Sequence, residues 1–142
     1  MRRLSAAFAV VLLGAFVVAS PASAADQITQ LQKTDHVVGN GTVANDGDVV
    51  QVNYTGWLYD AAAKDHHGKE FDSSEENGEP ISFTLGAGEV IAGWDQGIRG
   101  MHVGGKRTLV IPARLAYGGH GAGDAVPPNA TLVFDVELVG VR

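Results

Sequence analysis

Apolar and polar residues alternate with a period of two in four short stretches of the chain, each of which ends at a turn. The clearest stretch is 131–139, where every second side chain is large and apolar and acidic residues lie between them. The same alternation occurs at 48–58, 81–85 and 108–111. A period of two predicts strands that bury one face, and the nineteen glycines provide turns between them. The chain is therefore expected to fold mainly as an antiparallel sheet.

A single stretch has the period of a helix. Ile91, Trp94 and Ile98 recur at positions i, i+3 and i+7, which places them on one helical face. Gly93 and Gly97 lower the intrinsic helix propensity, so this helix needs support from the apolar face of the sheet. The predicted fold class is therefore α+β, a curved antiparallel sheet wrapped around one short α-helix.

The first 24 residues have the three parts of a secretory signal peptide. Two arginines follow Met1, an apolar run covers 4–19, and Pro21 precedes the cleavage motif Ala22-Ser23-Ala24. An uncleaved membrane anchor is the alternative, but the run is shorter than the ~20 apolar residues that span a bilayer. We predict cleavage after Ala24, no stable membrane insertion, and secretion across the inner membrane into the periplasm.

The whole chain of 142 residues has the length of one domain. We expect a polar lead-in with one edge strand at 25–47 and a single folded domain at 48–142, in which the polar stretch 60–70 forms an exposed loop. Ten Lys and Arg stand against sixteen Asp and Glu, a balance that argues against nucleic-acid binding. The absence of cysteine excludes disulfides, thiolate metal sites and cysteine nucleophiles.

The sequence lacks the motifs of several common enzyme classes, since it has no nucleophile elbow, phosphate-binding loop or metalloprotease helix. His66 and His67 follow Asp65 and could bind a metal ion, but neighbouring histidines point in different directions and no further ligands are specified. A solvated loop is the favoured interpretation, and no metal or cofactor is expected. An alternative function is that of a secreted metal-binding or structural β-domain, in which the aromatic side chains serve only as core residues.

Aromatic residues lie within or beside separate predicted elements. They are Tyr54, Phe71, Phe83, Trp94, Tyr117 and Phe134. Taken one at a time, each ring is more simply a core residue, and this interpretation suits Phe83 best. A core position is a weaker explanation for the rings that lie next to polar residues or glycine at the end of an element, because clefts open at the ends of elements. These rings are therefore candidates for a binding site.

Five motifs then follow one another in order. They are Tyr54-Thr55-Gly56, Phe71-Asp72-Ser73-Ser74, Val90-Ile91-Ala92-Gly93-Trp94, Ala116-Tyr117-Gly118 and the run 127–138, which begins Pro-Pro-Asn-Ala-Thr. With these motifs the chain resembles the FKBP-type peptidyl-prolyl cis-trans isomerases, the immunophilins that bind tacrolimus and rapamycin. The resemblance covers 48–142, and the half-barrel fold of that family agrees with the α+β fold predicted above.

The resemblance implies a pocket that holds an X-Pro segment. It assigns catalysis to Tyr117, Asp72, Trp94 and Phe134, and substrate binding to Tyr54, Phe71, Ile81, Val90 and Ile91. Trp94 would form the floor, while the N–H of Ile91 and the hydroxyl of Tyr117 would donate hydrogen bonds to ligand carbonyls. Asp72 would orient Tyr117 or neighbouring groups of the pocket.

The resemblance further implies a peptidyl-prolyl cis-trans isomerase that needs no cofactor or metal. Its partners would be proline-containing peptides and unfolded secreted proteins, its inhibitors macrolides such as tacrolimus or rapamycin, and its expected state a monomer. Ile81 stands where many relatives carry an aromatic ring, and Ala122 and Ala125 are smaller than their counterparts in better-known relatives. The affinity for ligands and the sequence preference for substrates are therefore expected to differ from those of the relatives. The alternative is a non-catalytic module that binds proline segments or unfolded chains through the same pocket.

Overall fold

The computed structural model describes residues 28–142. The predicted signal peptide and its cleavage point after Ala24 lie outside these residues. Between residues 28 and 142, no helix is long and apolar enough to span a membrane.

The described chain consists of strands, one short α-helix and single turns of 3₁₀-helix. The strands are β1 (Gln32–Val37), β2 (Val49–Tyr59), β3 (His67–Ser73), β4 (Ile81–Thr84), β5 (Lys106–Ile111) and β6 (Leu132–Val141). The helix is α1 (Ala92–Ile98), and the 3₁₀ turns are Lys64–His66, Ser74–Glu76 and Ala113–Leu115.

The six strands form one antiparallel sheet, in which five follow the order β1-β5-β6-β2-β3 and β4 pairs with β2. The long strand β2 lies beside β6 on one side, while on its other side its first half pairs with β4 and its second half with β3. The α+β fold predicted from the sequence, a sheet around one short helix, is confirmed.

Each stretch of alternating residues became a strand. The stretches 48–58, 81–85, 108–111 and 131–139 correspond to β2, β4, β5 and β6. The lead-in contributes the expected edge strand, β1, which pairs with β5 and is exposed at every position. The lead-in and the following segments therefore share one sheet.

The loop predicted at 60–70 is wrong for its last four residues, because β3 begins at His67 and pairs with the second half of β2. The His67 ring stacks on Trp57 with centroids 3.7 Å apart, and the His66 ring stacks on Tyr59 at 4.9 Å. Both histidines are thus held against rings of β2. The strand escaped prediction because it is mostly polar and its register with β2 shifts twice, so it lacks a regular alternation.

Helix α1 packs closely on the inner face of the sheet. A Cβ atom on Gly97 would lie 2.7 Å from Cδ1 of Leu109, and one on Gly93 would come still closer to Ile111. The two glycines that lower the helix propensity are therefore the residues that allow the helix to approach β5. This approach fixes the depth at which Trp94 enters the core, where it is 4 % exposed.

Candidate functional site

Four aromatic rings from four different elements meet between the sheet and α1. They are Tyr54 of β2, Phe71 of β3, Trp94 of α1 and Phe134 of β6. The Trp94 ring centroid lies 4.8 Å from that of Tyr54 and 5.3 Å from that of Phe134, while Phe71 lies 5.5 Å from Phe134. All three pairs are edge-to-face, the arrangement that the ring quadrupoles favour.

These rings divide into a buried floor and a partly exposed wall. Trp94 and Phe134 are buried, whereas Tyr54 and Phe71 are half-buried and pack against the core from outside. Phe83 lies on Trp94 with centroids 5.7 Å apart and is buried, so it is a core residue, as its sequence context indicated. A partly exposed apolar wall over a buried floor is the form of a small-ligand site.

Gly56 makes room for two of these rings. A Cβ atom on Gly56 would lie 2.6 Å from Cε1 of Phe134 and 2.9 Å from Cζ of Phe71. Any larger residue would therefore displace a ring. The sequence shows Gly56 within a motif but gives no sign of this role, because the contact depends on the register in which β2 pairs with β6.

Asp72 is bonded to Tyr54 and not to Tyr117. The Tyr54 hydroxyl donates to Oδ2 of Asp72 at 2.8 Å, and Oδ1 of Asp72 accepts from the Ser73 N–H at 2.9 Å. Burial raises the pKa of Tyr54, and the hydrogen bond to Asp72 raises that pKa further. The Asp72 carboxylate therefore fixes the position of the Tyr54 hydroxyl.

Two buried serines fix the start of the loop after β3 against β2. The Tyr54 N–H donates to Oγ of Ser74 at 2.9 Å, and Oγ of Ser73 lies 3.2 Å from Oγ1 of Thr55. Ser73 also accepts from the N–H of Glu75 at 3.2 Å, which holds the first residues of the following turn. Both serines belong to the motif Phe71-Asp72-Ser73-Ser74, but no local sequence pattern indicates these contacts.

Val90 and Ile91 form the edge of the site just before α1, where both are half-buried against the core. The Ile91 carbonyl accepts from the Trp94 N–H at 2.9 Å. Within residues 28–142 the Ile91 N–H has no hydrogen-bond partner. The segment before it is anchored by the buried Asp95, whose carboxylate accepts from the N–H of Gly86 at 2.8 Å and from the N–H of Gly88. No sequence signal pointed to Asp95.

Tyr117 lies just beyond the 3₁₀ turn Ala113–Leu115 and is 38 % exposed. Its hydroxyl has no hydrogen-bond partner in the part of the chain that the structure describes. Burial raises the pKa of Tyr117, and the negative charge of Asp72 raises that pKa further. The hydroxyl is therefore free to donate to a bound group.

The other positions named from the sequence lie around these groups. Ile81 begins β4 opposite Val52 and is 36 % exposed, so it is no part of the buried floor. In the loop after Tyr117, Ala122 forms an isolated bridge with Val126, whereas Ala125 is exposed.

The outer face of the sheet carries a separate polar groove. A groove of about 620 Å³ is lined by polar residues such as Asn53, Thr55, Asp135 and Glu137. These residues alternate with those that face the core, so the groove lies on the outer face of the sheet, away from Trp94. Among residues 28–142 no group of three or more His, Asp or Glu side chains could hold a metal ion. The ring cluster is therefore the candidate active site.

Comparison with known proteins identifies the family of the chain. The family model of the FKBP-type peptidyl-prolyl cis-trans isomerase matches residues 41–139. The chain is 60 % identical over 95 residues to the FK506-binding protein 2 of Candida glabrata, a match that covers 67 % of this chain and 65 % of that protein. It is 50 % identical over 103 residues to the FK506-binding protein of Neisseria meningitidis serogroup B, covering 72 % of this chain and 88 % of that protein.

Solved structures show the same likeness. The crystal structure of AtFKBP13 superposes with a TM-score of 0.69 at 44 % identity, covering 79 % of this chain and 93 % of that chain. That of FkpA from Escherichia coli superposes with a TM-score of 0.67 at 46 % identity, covering 79 % of this chain and 48 % of that chain. With its matching fold, its ring-lined site and the family match over most of its length, the chain belongs to the FKBP-type peptidyl-prolyl cis-trans isomerases.

Proposed function

We propose that the ring cluster around Trp94 is the site at which this enzyme isomerises X-Pro bonds. The observations that carry the proposal are the partly exposed aromatic wall over Trp94 and the lack of a partner, within residues 28–142, for the Ile91 N–H and the Tyr117 hydroxyl. The apolar wall suits a proline ring, and the donors suit the carbonyls beside it.

The reaction needs nothing more than selective binding. Rotation about an X-Pro bond faces a barrier of ~18–20 kcal/mol and takes tens to hundreds of seconds, because amide resonance must be broken. No covalent bond forms or breaks. A site that binds the twisted amide more tightly than either planar isomer therefore accelerates the interchange.

The twisted amide is less polar than the planar one, because its nitrogen has lost conjugation with the carbonyl. A dry pocket over Trp94 and Phe134 favours that state by excluding water. In this proposal Tyr117, Asp72, Trp94 and Phe134 act in catalysis, and Tyr54, Phe71, Ile81, Val90 and Ile91 bind the substrate. Asp72 acts by holding the Tyr54 ring on Trp94, and not as an acid or base.

We also propose an extracytoplasmic role. The support is the signal-peptide pattern of residues 1–24, which would leave a lead-in at 25–47 and the catalytic domain at 48–142. The substrates would then be proline-containing segments of unfolded secreted proteins in the periplasm. The enzyme would act as a monomer.

The relatives are named for binding FK506, which is tacrolimus. We propose that the same cluster binds tacrolimus and rapamycin here, with the macrolide over Trp94 and one of its carbonyls on the Ile91 N–H. Competition between drug and substrate is then expected.

The test is the cis-to-trans relaxation of a short X-Pro peptide with the purified protein lacking residues 1–24, with and without tacrolimus. Acceleration that the drug abolishes supports the proposal, and Trp94→Leu should remove both effects. A folded protein that binds the drug but leaves the relaxation rate unchanged would contradict catalysis at this site. That result would favour the alternative, a module that holds proline segments.

A further inference from the structure

One turn sets where the chain presents the Ile91 N–H. β4 ends at Thr84, and the chain reverses over 85–88 before it reaches Ile91 and α1. Gly86 and Gly88 have positive φ angles of 81° and 75°, a backbone conformation that other residues rarely adopt. The two glycines allow the reversal but do not hold it in place, so the position of Ile91 depends on the contacts that fix this turn.

Glu89 reaches back across the turn from its far end. Its Oε1 accepts a hydrogen bond from the Thr84 N–H at 3.0 Å, and Glu89 is exposed. Successive N–H groups of a strand point to opposite edges, and the Leu85 N–H donates toward β2, to the carbonyl of Asp48 at 2.9 Å. The Thr84 N–H therefore points to the open edge of β4, where water satisfies an unpaired N–H. The bond thus adds little to folding stability, and its main effect is on the position of Glu89.

Glu89 also fixes a part of the chain that Asp95 does not reach. The last residue that Asp95 binds in the turn is Gly88, whose N–H donates to Oδ2 at 3.2 Å. Among residues 28–142, the bond to Thr84 is the only hydrogen bond made by Glu89 or Val90. Val90 is otherwise held by apolar packing against the core. Glu89 therefore provides the polar anchor between the turn and the proposed donor.

The start of α1 fixes the other side of the donor. The Ile91 carbonyl accepts from the Trp94 N–H at 2.9 Å and from the Asp95 N–H at 3.3 Å. The peptide unit that bears the Ile91 N–H thus lies between two anchors, the start of α1 and Glu89. Without the second anchor, rotation about the backbone bonds of Val90 lets that N–H change direction while α1 stays in place.

We propose that Glu89 is a positioning residue of the isomerase, which holds the Ile91 N–H in the direction that a substrate carbonyl requires. The inference rests on the proposed function, in which that N–H binds the carbonyl beside the proline. Glu89 acts through the backbone and does not touch the substrate. Because the N–H holds the same carbonyl throughout the rotation, its misplacement weakens the binding of ground state and transition state alike, which raises KM and leaves kcat unchanged.

The experiment measures kcat and KM for a short X-Pro peptide in Glu89→Ala and Glu89→Gln. Alanine removes the acceptor, and KM is expected to rise about three- to tenfold. The value of kcat should stay within about twofold of that of the wild type. Glutamine keeps a carbonyl oxygen at the same place in the side chain, so Glu89→Gln should retain most of the wild-type affinity. The melting temperature should change little in either variant.

Glu79→Ala is the matched control. Glu79 is exposed and lies two residues before β4, so its replacement removes the same charge from the other end of that strand. Its carboxylate makes no hydrogen bond or ion pair in the part of the chain that the structure describes. The control should leave KM and kcat as they are in the wild type.

A wild-type KM in Glu89→Ala would overturn the assignment. A rise in KM of the same size in Glu89→Gln or Glu79→Ala would overturn it as well, because the charge and not the hydrogen bond would then be responsible. A fall in kcat at constant KM would show that Glu89 acts on the transition state alone and would also count against the assignment.

A folded wild-type protein that turns over no peptide contradicts the proposed function instead. The positioning by Glu89 is then judged by nuclear magnetic resonance of the free protein. In Glu89→Ala the Thr84 amide should exchange faster with solvent and the Ile91 amide should become more mobile, while Glu79→Ala should change neither. Unchanged Thr84 and Ile91 amides in Glu89→Ala would overturn the assignment without reference to turnover.

Discussion

Replacing Gly56 by alanine is expected to damage the site through the two rings that cover it. The new Cβ would lie 2.6 Å from the Phe134 ring and 2.9 Å from the Phe71 ring, well inside van der Waals contact. Overpacking of this kind costs about 1–3 kcal/mol. Alanine also lowers the entropy of the unfolded chain, which returns about 0.4–1 kcal/mol. The difference between the two ranges is a net loss in the free energy of unfolding of about 0–2.6 kcal/mol, with a midpoint of about 1.3 kcal/mol.

Urea unfolding followed by tryptophan fluorescence measures this loss, and peptide relaxation measures the accompanying fall in kcat/KM. Gly119→Ala is the matched control, because its Cβ would meet nothing closer than Oδ1 of Asn129 at 3.9 Å and should not destabilise the protein. A double-mutant cycle with Phe134→Leu tests the cause, since Gly56→Ala should cost less once the ring is gone. Unchanged stability and turnover in Gly56→Ala would refute the packing argument.

Three further predictions concern the polar and aromatic groups of the site. Tyr117→Phe should lower kcat/KM with little change in unfolding, since the hydroxyl has no partner within residues 28–142; wild-type turnover would remove that hydroxyl from the mechanism. Trp94→Ala should lower the free energy of unfolding by about 3–5 kcal/mol and abolish turnover. An unchanged melting temperature would show that the Trp94 ring does not form the buried floor of the site. Because the folded pKa of Tyr54 is raised, the stability it contributes is full below pH ~10 and is lost as the pH rises above that value. Asp72→Asn should lower the pKa of Tyr54, which an absorbance titration of the tyrosine phenolates measures. The same titration curve in the variant and the wild type would contradict the Tyr54–Asp72 hydrogen bond.

Four strands, β2, β4, β5 and β6, and the helix could be predicted because each carries its own periodic signal. In β6 Leu132, Phe134, Val136 and Leu138 lie on one face and are buried, while Asp135 and Glu137 lie between the last three of them. β3 carries no such signal, since its seven residues are mostly polar and partly or fully exposed, and only its pairing with β2 makes it a strand.

The site could be predicted in outline only, through ordered motifs that place Tyr54, Asp72 and Trp94 in one pocket. The contacts between these residues could not be predicted, because the contacts join positions that are far apart in the chain. The Tyr54–Asp72 hydrogen bond spans 18 residues, and the fit of Gly56 against Phe134 depends on one register of β2 against β6. Neither is encoded in any local pattern.

The buried carboxylate of Asp95 has a consequence for the entropy of ligand binding. By accepting from Gly86 and Gly88 it fixes the backbone that leads to Val90 and Ile91 from inside the protein. That segment is therefore ordered during folding, and a ligand that reaches the Ile91 N–H does not have to immobilise it. Such preorganisation lowers the entropic penalty of association and lets short, weakly interacting peptides be bound and released repeatedly.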